Sequence, residues 1–170
     1  NPNLKQQCLE NNLFVFDNKS TLAKGKMTQR WFYGDGQSDT SYQTQHTYFN
    51  DGIFNVMMIA YSSEFCNDTF KSTMDVKPMP IANFSFGSVC EKNNLDFTNL
   101  STIKSGKINA NNWHFGDGKI AYSQNASHTY NSAKVYPTLL VVVSDFGCED
   151  SIIKDVRVDK LPTIKFVYQD

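Results

Sequence analysis

The side chains of this 170-residue chain that could carry chemistry are few, and most of them come in pairs. Four cysteines occur, Cys8, Cys66, Cys90 and Cys148, without the Cys-x-x-Cys spacing that points to zinc or to thioredoxin-like exchange. His46 and His128 stand in the same His-Thr-Tyr context. With no partner histidine near either, they read as hydrogen-bonded structural groups and not as metal ligands. Asp35 and Asp117 each sit within Gly-Asp-Gly, which reads as a tight turn before it reads as a catalytic carboxylate. Asp17-Asn18, Asn67-Asp68 and Glu149-Asp150 offer hard oxygen ligands, so calcium is the one cofactor left open. These pairs lack a binding-loop spacing, and Asp and Asn favour turns anyway. No Gly-x-Ser-x-Gly, His-Glu-x-x-His or phosphate loop is present, so no catalytic residue and no enzyme activity is expected. Asn-x-Ser/Thr sequons at Asn18, Asn67, Asn83, Asn99 and Asn125 would be glycan sites in a eukaryotic secreted protein.

The elements that position these residues are repeated. Trp31-Phe32-Tyr33-Gly34-Asp35-Gly36 returns as Trp113-His114-Phe115-Gly116-Asp117-Gly118, 82 residues later. The same offset relates His46-Thr47-Tyr48 to His128-Thr129-Tyr130, Cys8 to Cys90, and Cys66 to Cys148. Repetition on this scale means whole modules, each with its own Trp, Asp-Gly turn, His-x-Tyr and two cysteines. Trp31 and Tyr33 face one side of a strand, as do Trp113 and Phe115, and that side is the expected core. Asp-Gly then predicts a type I′ hairpin turn.

Leu13–Phe16 and Leu95–Phe97 read as second strands, shifted by one residue relative to the offset, and Ile81–Phe86 reads as a first strand. Asn1–Gln7, its counterpart, is a poor strand by composition. Gln37–Gln45 and Lys119–Ser127 read as short polar edge strands. The most apolar strands place Phe54, Val56, Met58 and Ala60, or Tyr136, Thr138, Leu140 and Val142, on one face. Their opposite faces are apolar too, with Met57, Ile59 and Tyr61, or Leu139, Val141 and Val143. A sandwich strand usually keeps one wet face, so either neighbours lie over this side or it is an exposed patch. Ser62–Phe65 and Asp145-Phe146-Gly147 are turns, and Cys66 and Cys148 begin the last strands, which run to Val76 and Val158.

Net charge is -1 and no Lys/Arg run occurs, which disfavours nucleic acid as a partner. The apolar runs at Val56–Tyr61 and Leu139–Val143 are too short to span a bilayer as helices, and no membrane insertion is expected.

The ordered set of Trp-x-Phe/Tyr-Gly-Asp-Gly, His-Thr-Tyr and an aromatic-rich strand resembles the polycystic kidney disease (PKD) domain over nearly the whole chain. The departures are Phe32 and His114 where the family usually has Asp, and Lys134 in the place of Gly52. The resemblance implies an all-β fold: two tandem immunoglobulin-like β-sandwich modules in an elongated rod. Their bounds would be 1–78, with its first strand incomplete, and 79–160. Residues 161–170 would open a truncated third module, because Leu161-Pro162-Thr163-Ile164-Lys165-Phe166 parallels Met79-Pro80-Ile81-Ala82-Asn83-Phe84. Pro78 and Pro80 would stiffen the link.

The resemblance also implies an extracellular or cell-surface location in a bacterium, where Asp68-Thr69 and Asp150-Ser151 look like O-glycan acceptors at Thr69 and Ser151. The function it implies is non-catalytic: part of the stalk of a large surface adhesin or filament, used in attachment and possibly in gliding motility. The alternative is a carbohydrate-binding or spacer module of a secreted hydrolase, which needs a row of exposed aromatics; Phe32, Tyr61 and Phe146 are the candidates. Partners would be neighbouring modules and a protein or glycan ligand at the cell surface. In such a sandwich the two cysteines of a module lie at opposite poles. That favours a bridge between modules, Cys8 with Cys148, over the alternative Cys8–Cys66 and Cys90–Cys148 pairs.

Overall fold

The two apolar runs become the longest strands of the molecule, because alternate side chains of each can be buried against a facing sheet. The computed structural model describes residues 4–64 and 66–168, in two units, Asn1–Met79 and Pro80–Asp170. Asn1–Asn3, Phe65 and Gln169–Asp170 lie outside the described residues, and with them the start of the weak first strand, the end of the Ser62–Phe65 turn and the tip of the tail.

The first unit contains β1 (Gln6–Cys8), β2 (Phe14–Asp17), β3 (Met27–Phe32), β4 (Ser38–Asp39), β5 (Gln43–His46), β6 (Gly52–Ser62) and β7 (Asn67–Lys77). One sheet runs β1-β7-β6-β3-β4, and β2 pairs with β5 in the other. The second unit contains β8 (Pro80–Ile81), β9 (Phe84–Phe86), β10 (Val89–Cys90), β11 (Asn94–Asn99), β12 (Thr102–Ile103), β13 (Ile108–His114), β14 (Ile120–Ala121), β15 (Ala126–Thr129), β16 (Val135–Ser144) and β17 (Glu149–Asp159). Its larger sheet, β10-β17-β16-β13-β14, repeats the order of the first unit, whereas its smaller sheet has three strands, β15-β11-β9, with a β12-β8 pair beside it. Each unit is an all-β, immunoglobulin-like sandwich.

Phe14, Phe16, Trp31, Tyr33, Tyr48, Val56, Met58, Met74 and Val76 form the core of the first unit. In the second, Phe84, Phe97, Trp113, Phe115, Tyr130, Leu140, Val142 and Val156 are among their counterparts. Met57, Ile59, Leu139, Val141 and Val143, on the other side of β6 and β16, are half-buried, and Tyr61 is exposed. Much of the second apolar face is therefore shielded, with Lys71 and Thr69 in register beside Met57 and Ile59.

Three local expectations change. Ile81–Phe86 is not one strand: β8 and β9 flank Ala82-Asn83, whose amides are drawn off to Asp150 Oδ2 (2.7 Å) and Ser101 Oγ (3.0 Å). The polar segment Gln6–Cys8 does form a strand, because it pairs in parallel with the end of β7. The Gly-Asp-Gly turn is not type I′. Asp35 and Asp117 keep negative φ, and the left-handed conformations fall on the glycines around them: Gly34 and Gly36 at φ 86° and 93°, Gly116 and Gly118 at 79° and 87°.

Candidate functional site

The turn geometry explains what the two aspartates do. Gly34 approaches the next strand so closely that a Cβ there would lie 2.7 Å from the carbonyl oxygen of Asn55, and a Cβ at Gly116 would lie 2.7 Å from that of Pro137. Asp35 is thereby held over the sheet end. Its Oδ1 accepts the Gln37 amide (3.0 Å), and its Oδ2 meets Nε2 of His46 at 2.7 Å. Asp117 repeats both contacts, with the Lys119 amide at 3.0 Å and His128 Nε2 at 2.8 Å. Burial works against both carboxylates, but these donors outweigh it and hold each carboxyl below the usual carboxylate range.

The imidazoles are locked in turn. His46 stacks on Tyr33 with ring centres 4.0 Å apart and meets Tyr48 edge-on at 4.7 Å. His128 stacks on Phe115 at 4.2 Å and meets Tyr130 edge-on at 4.6 Å. The tyrosines close the cluster: Tyr48 OH donates to the Tyr33 carbonyl (2.8 Å), and Tyr130 OH donates to that of Phe115 (3.1 Å). Burial raises both phenols above their ordinary value. Trp31 Nε1–H and Trp113 Nε1–H donate to the carbonyls of Ser41 (3.1 Å) and Ser123 (3.0 Å). The sequence motif is thus one assembly in each unit, tying the β3–β4 or β13–β14 turn to the strand that crosses between sheets. Each carboxylate and imidazole is occupied in holding backbone or aromatic rings.

Cys8 and Cys148 are disulfide-bonded, and Cys66 and Cys90 are free thiols. Cys8 stands beside Lys77, the last residue of β7, while Cys66 directly precedes Asn67, its first. Cys90 stands beside Asp159 at the end of β17, and Cys148 precedes Glu149 at its start. Along an eleven-residue strand these positions are about 35 Å apart. That overturns Cys8–Cys66 and Cys90–Cys148, because a disulfide needs Cα atoms within about 7 Å.

Three of the four carboxylates considered for calcium, Asp17, Asp68 and Asp150, accept hydrogen bonds. Asp17 accepts from Gln43 Nε2, Asp68 accepts the Thr69 amide, and Asp150 accepts the Ala82 amide. Among the described residues no three of His, Cys, Asp or Glu gather as metal ligands do. Thr69 and Ser151 are exposed on β7 and β17. Of the sequon asparagines, Asn18 is fully buried, with its Oδ1 on the Ser20 amide, and is closed to any glycan in the folded unit. Phe32 and Phe146 are half-buried, so the three aromatics do not make an open row.

The sequence reading missed two things. One is a buried polar network in the first unit, where Tyr33 OH bonds Thr44 Oγ1 (2.8 Å) and Thr44 bonds Asp39 Oδ2. Those donors, Thr44 first and then Ser41, lower the Asp39 carboxyl to about 2. The other is the way Asp150 and Lys154 hold the first strand of the second unit. Lys154 Nζ donates to Asn83 Oδ1 (2.8 Å) and to the Phe84 carbonyl. Recurrence of Asp at the offset, as Asp68 and Asp150, was the available signal.

Residues 77–158 match the family model of the PKD domain. That stretch is similar to the PKD domain family. It contains Trp113, Gly116, Asp117, Gly118, His128 and Tyr130, the whole of the second assembly. Among solved structures, the PKD1 domain of Vibrio anguillarum Epp is similar at 24% identity over 49% of this chain and 96% of that one, with a TM-score of 0.46. The PKD1 domain of the Vibrio cholerae metalloprotease PrtV is similar at 26% identity over 48% and 99%, with a TM-score of 0.46. The fibronectin(III)-like modules of Clostridium thermocellum CbhA match 96% of this chain and 94% of that one at 14% identity, with a TM-score of 0.46.

Proposed function

We propose that the chain is a non-catalytic pair of PKD modules from the stalk of a large extracellular bacterial adhesin or filament. The observation that carries this reading is the fate of the motif residues. The groups best suited to chemistry, Asp35 with His46 and Asp117 with His128, are bonded to each other and stacked on buried rings, in both repeats. A residue set spent twice on fold and repeated at a fixed offset suits a load-bearing module. Attachment is the role of such a stalk, and surface gliding its more specific form. Its partners are neighbouring modules and a protein or glycan at the cell surface.

A covalent joint belongs to the same proposal: Cys8 bonds to Cys148, stapling the near pole of one module to the far pole of the next. Two thiols lose two protons and two electrons to a disulfide oxidant such as oxidised glutathione. Peptide mapping without reductant should yield Cys8 joined to Cys148, and a peptide joining Cys90 to Cys148 would sink the staple. Thr69 and Ser151 are the proposed O-glycan acceptors, to be read by intact mass of the native protein. The stalk itself is tested by labelling intact cells with an antibody to residues 77–158. Surface labelling removed by external protease is expected; labelling seen only after lysis overturns the reading.

A further inference from the structure

We propose that the second unit pairs with the second unit of another copy of this chain, through the outer face of its larger sheet. The side of β16 that points away from the core is apolar throughout: Val135, Pro137, Leu139, Val141 and Val143. β17 places Ile153 beside Leu139, and β13 and β14 place His114 and Ile120 on the other side of it. Val135, Ile153 and Ile120 are 53%, 63% and 51% exposed, on a face that is ordinarily polar where it meets water. All four strands lie within Ile108–Asp159, and the inference holds whether or not the chain comes from a stalk.

Charge on β17 selects the occupant. Its outward side chains are Glu149, Ser151, Ile153, Asp155 and Arg157, all of them exposed. Sheets stacked face to face stand about 10 Å apart. A twofold axis lying between two such sheets and running across the strands, along Leu139 and Ile153, reverses the strand direction of the second copy. It seats Ile153 on Ile153 and Leu139 on Leu139, and it brings Glu149 of each copy to Arg157 of the other. Ser151 then meets Asp155, a hydroxyl donor against a carboxylate acceptor, and Val143 meets Val135. Arg157 donates through Nε to Asp159 Oδ1 at 3.0 Å, and its guanidinium carries further donors for Glu149. Rim pairs of this kind fix orientation more than they add affinity, and the apolar row supplies the attraction.

The first unit does not share the match. There, 82 residues earlier, Lys71 stands in the place of Ile153 and would meet its own copy on the same axis. Asn67 and Asp75 replace Glu149 and Arg157, and Asn55 replaces Pro137. Lysine against lysine at the centre opposes pairing, so the contact belongs to the second unit. Over Val135–Val143 and three strands the face measures about 30 Å by 15 Å, at the small end of specific interfaces, which makes the pair a weak one. A glycan on Ser151 would stand within this face, so the form that pairs is the non-glycosylated chain.

The test uses the whole non-glycosylated chain with Cys66 and Cys90 alkylated, so that no disulfide links two copies. In sedimentation equilibrium from about 10 µM to about 1 mM its mass should rise above 19.3 kDa toward twice that value. Ile153→Asp sets like charges at the centre and should weaken association at least about 100-fold, with the melting curve unchanged. Glu149→Arg and Arg157→Glu should each weaken it at least about tenfold, because each sets like charges at both rim contacts. Mixing those two variants should restore association, since each chain then supplies the charge that the other opposes. Lys71→Asp, on the first unit's face, should leave association unchanged. A native chain that stays monomeric across this range overturns the proposal. So does association that survives Ile153→Asp or is lost on Lys71→Asp. A mixture of the two charge variants that associates no better than either alone also overturns it.

Discussion

Replacing Asp117 with Ala removes one acceptor from two donors. The Lys119 amide lies on a surface turn and loses a bond that contributes about 1 kcal/mol. The bond to His128 is worth more, because the imidazole side chain is only 12% exposed and the carboxylate 21%. Hydrogen bonds to charged groups contribute about 1.5–3 kcal/mol, and the half-buried ring nitrogen is left without a partner. The sum is about 3 kcal/mol, where a turn residue alone would give about 1 kcal/mol. That is a large share of the stability of so small a unit. The two units need separate readouts, since the chain as a whole is not expected to unfold in one step. The indole N–H signals of Trp31 and Trp113 provide them in a urea titration, with Trp31 as the internal control. Asp117→Ala should lower the Trp113 midpoint and leave that of Trp31 in place. In a cycle with His128→Ala, the coupling should be about 1–2 kcal/mol. A loss near 1 kcal/mol with no coupling would mean that the carboxylate serves only the turn.

Trp113→Ala should cost about 3–5 kcal/mol and abolish cooperative unfolding of the second unit, as its side chain is fully buried; an unchanged thermal melt would refute its place in the core. Gly116→Ala should cost about 2–4 kcal/mol, from left-handed strain plus the Cβ contact at 2.7 Å, and Gly118→Ala, which meets open space, about 1–2 kcal/mol. Equal losses in urea titrations would remove the case for close approach. Acid should weaken both units. The Asp35 and Asp117 carboxyls bind protons less readily folded than unfolded, so their contribution is complete above about pH 4 and is lost as pH falls through their folded values. Asp39 extends that window down to about 2. Urea midpoints measured along this range should fall, and Asp35→Asn with Asp117→Asn should flatten the slope.

Much of this architecture was legible because it is written twice. The offset exposed the strands, the core tryptophans and the His-x-Tyr corners, since a core position must repeat its size and polarity to fill the same space. The turn was misread because Asp-Gly is read by dipeptide preference, whereas the conformation here is set by the approach of Gly34 and Gly116 to a neighbouring backbone. The aspartate–histidine bond was missed for a related reason. Partners eleven residues apart on different strands leave no local pattern, and only their joint recurrence at Asp35/His46 and Asp117/His128 hinted at contact. The division of the first strand into β8 and β9 depended on Asp150, far along the chain, competing for one backbone amide.

Comparison of the repeats shows how strictly buried polarity is matched. Where the first unit has Tyr33, its hydroxyl is satisfied by Thr44; where the second has Phe115, the facing position is Ala126. Tyr130 gains a second bond to Thr138, at 2.9 Å, whereas the position 82 residues earlier in the first core is the apolar Val56. Asn18 reaches Gln29 Oε1, and Asn99 reaches Asn111 Oδ1, so the pair is kept although one partner shortens. Each change of a buried hydroxyl or amide comes with a change in its neighbour, as the cost of an unmade bond requires. Against that record Ser72 stands out. Its Oγ is the one buried side-chain polar atom among the described residues with no partner, and it lies where the other unit grips a strand.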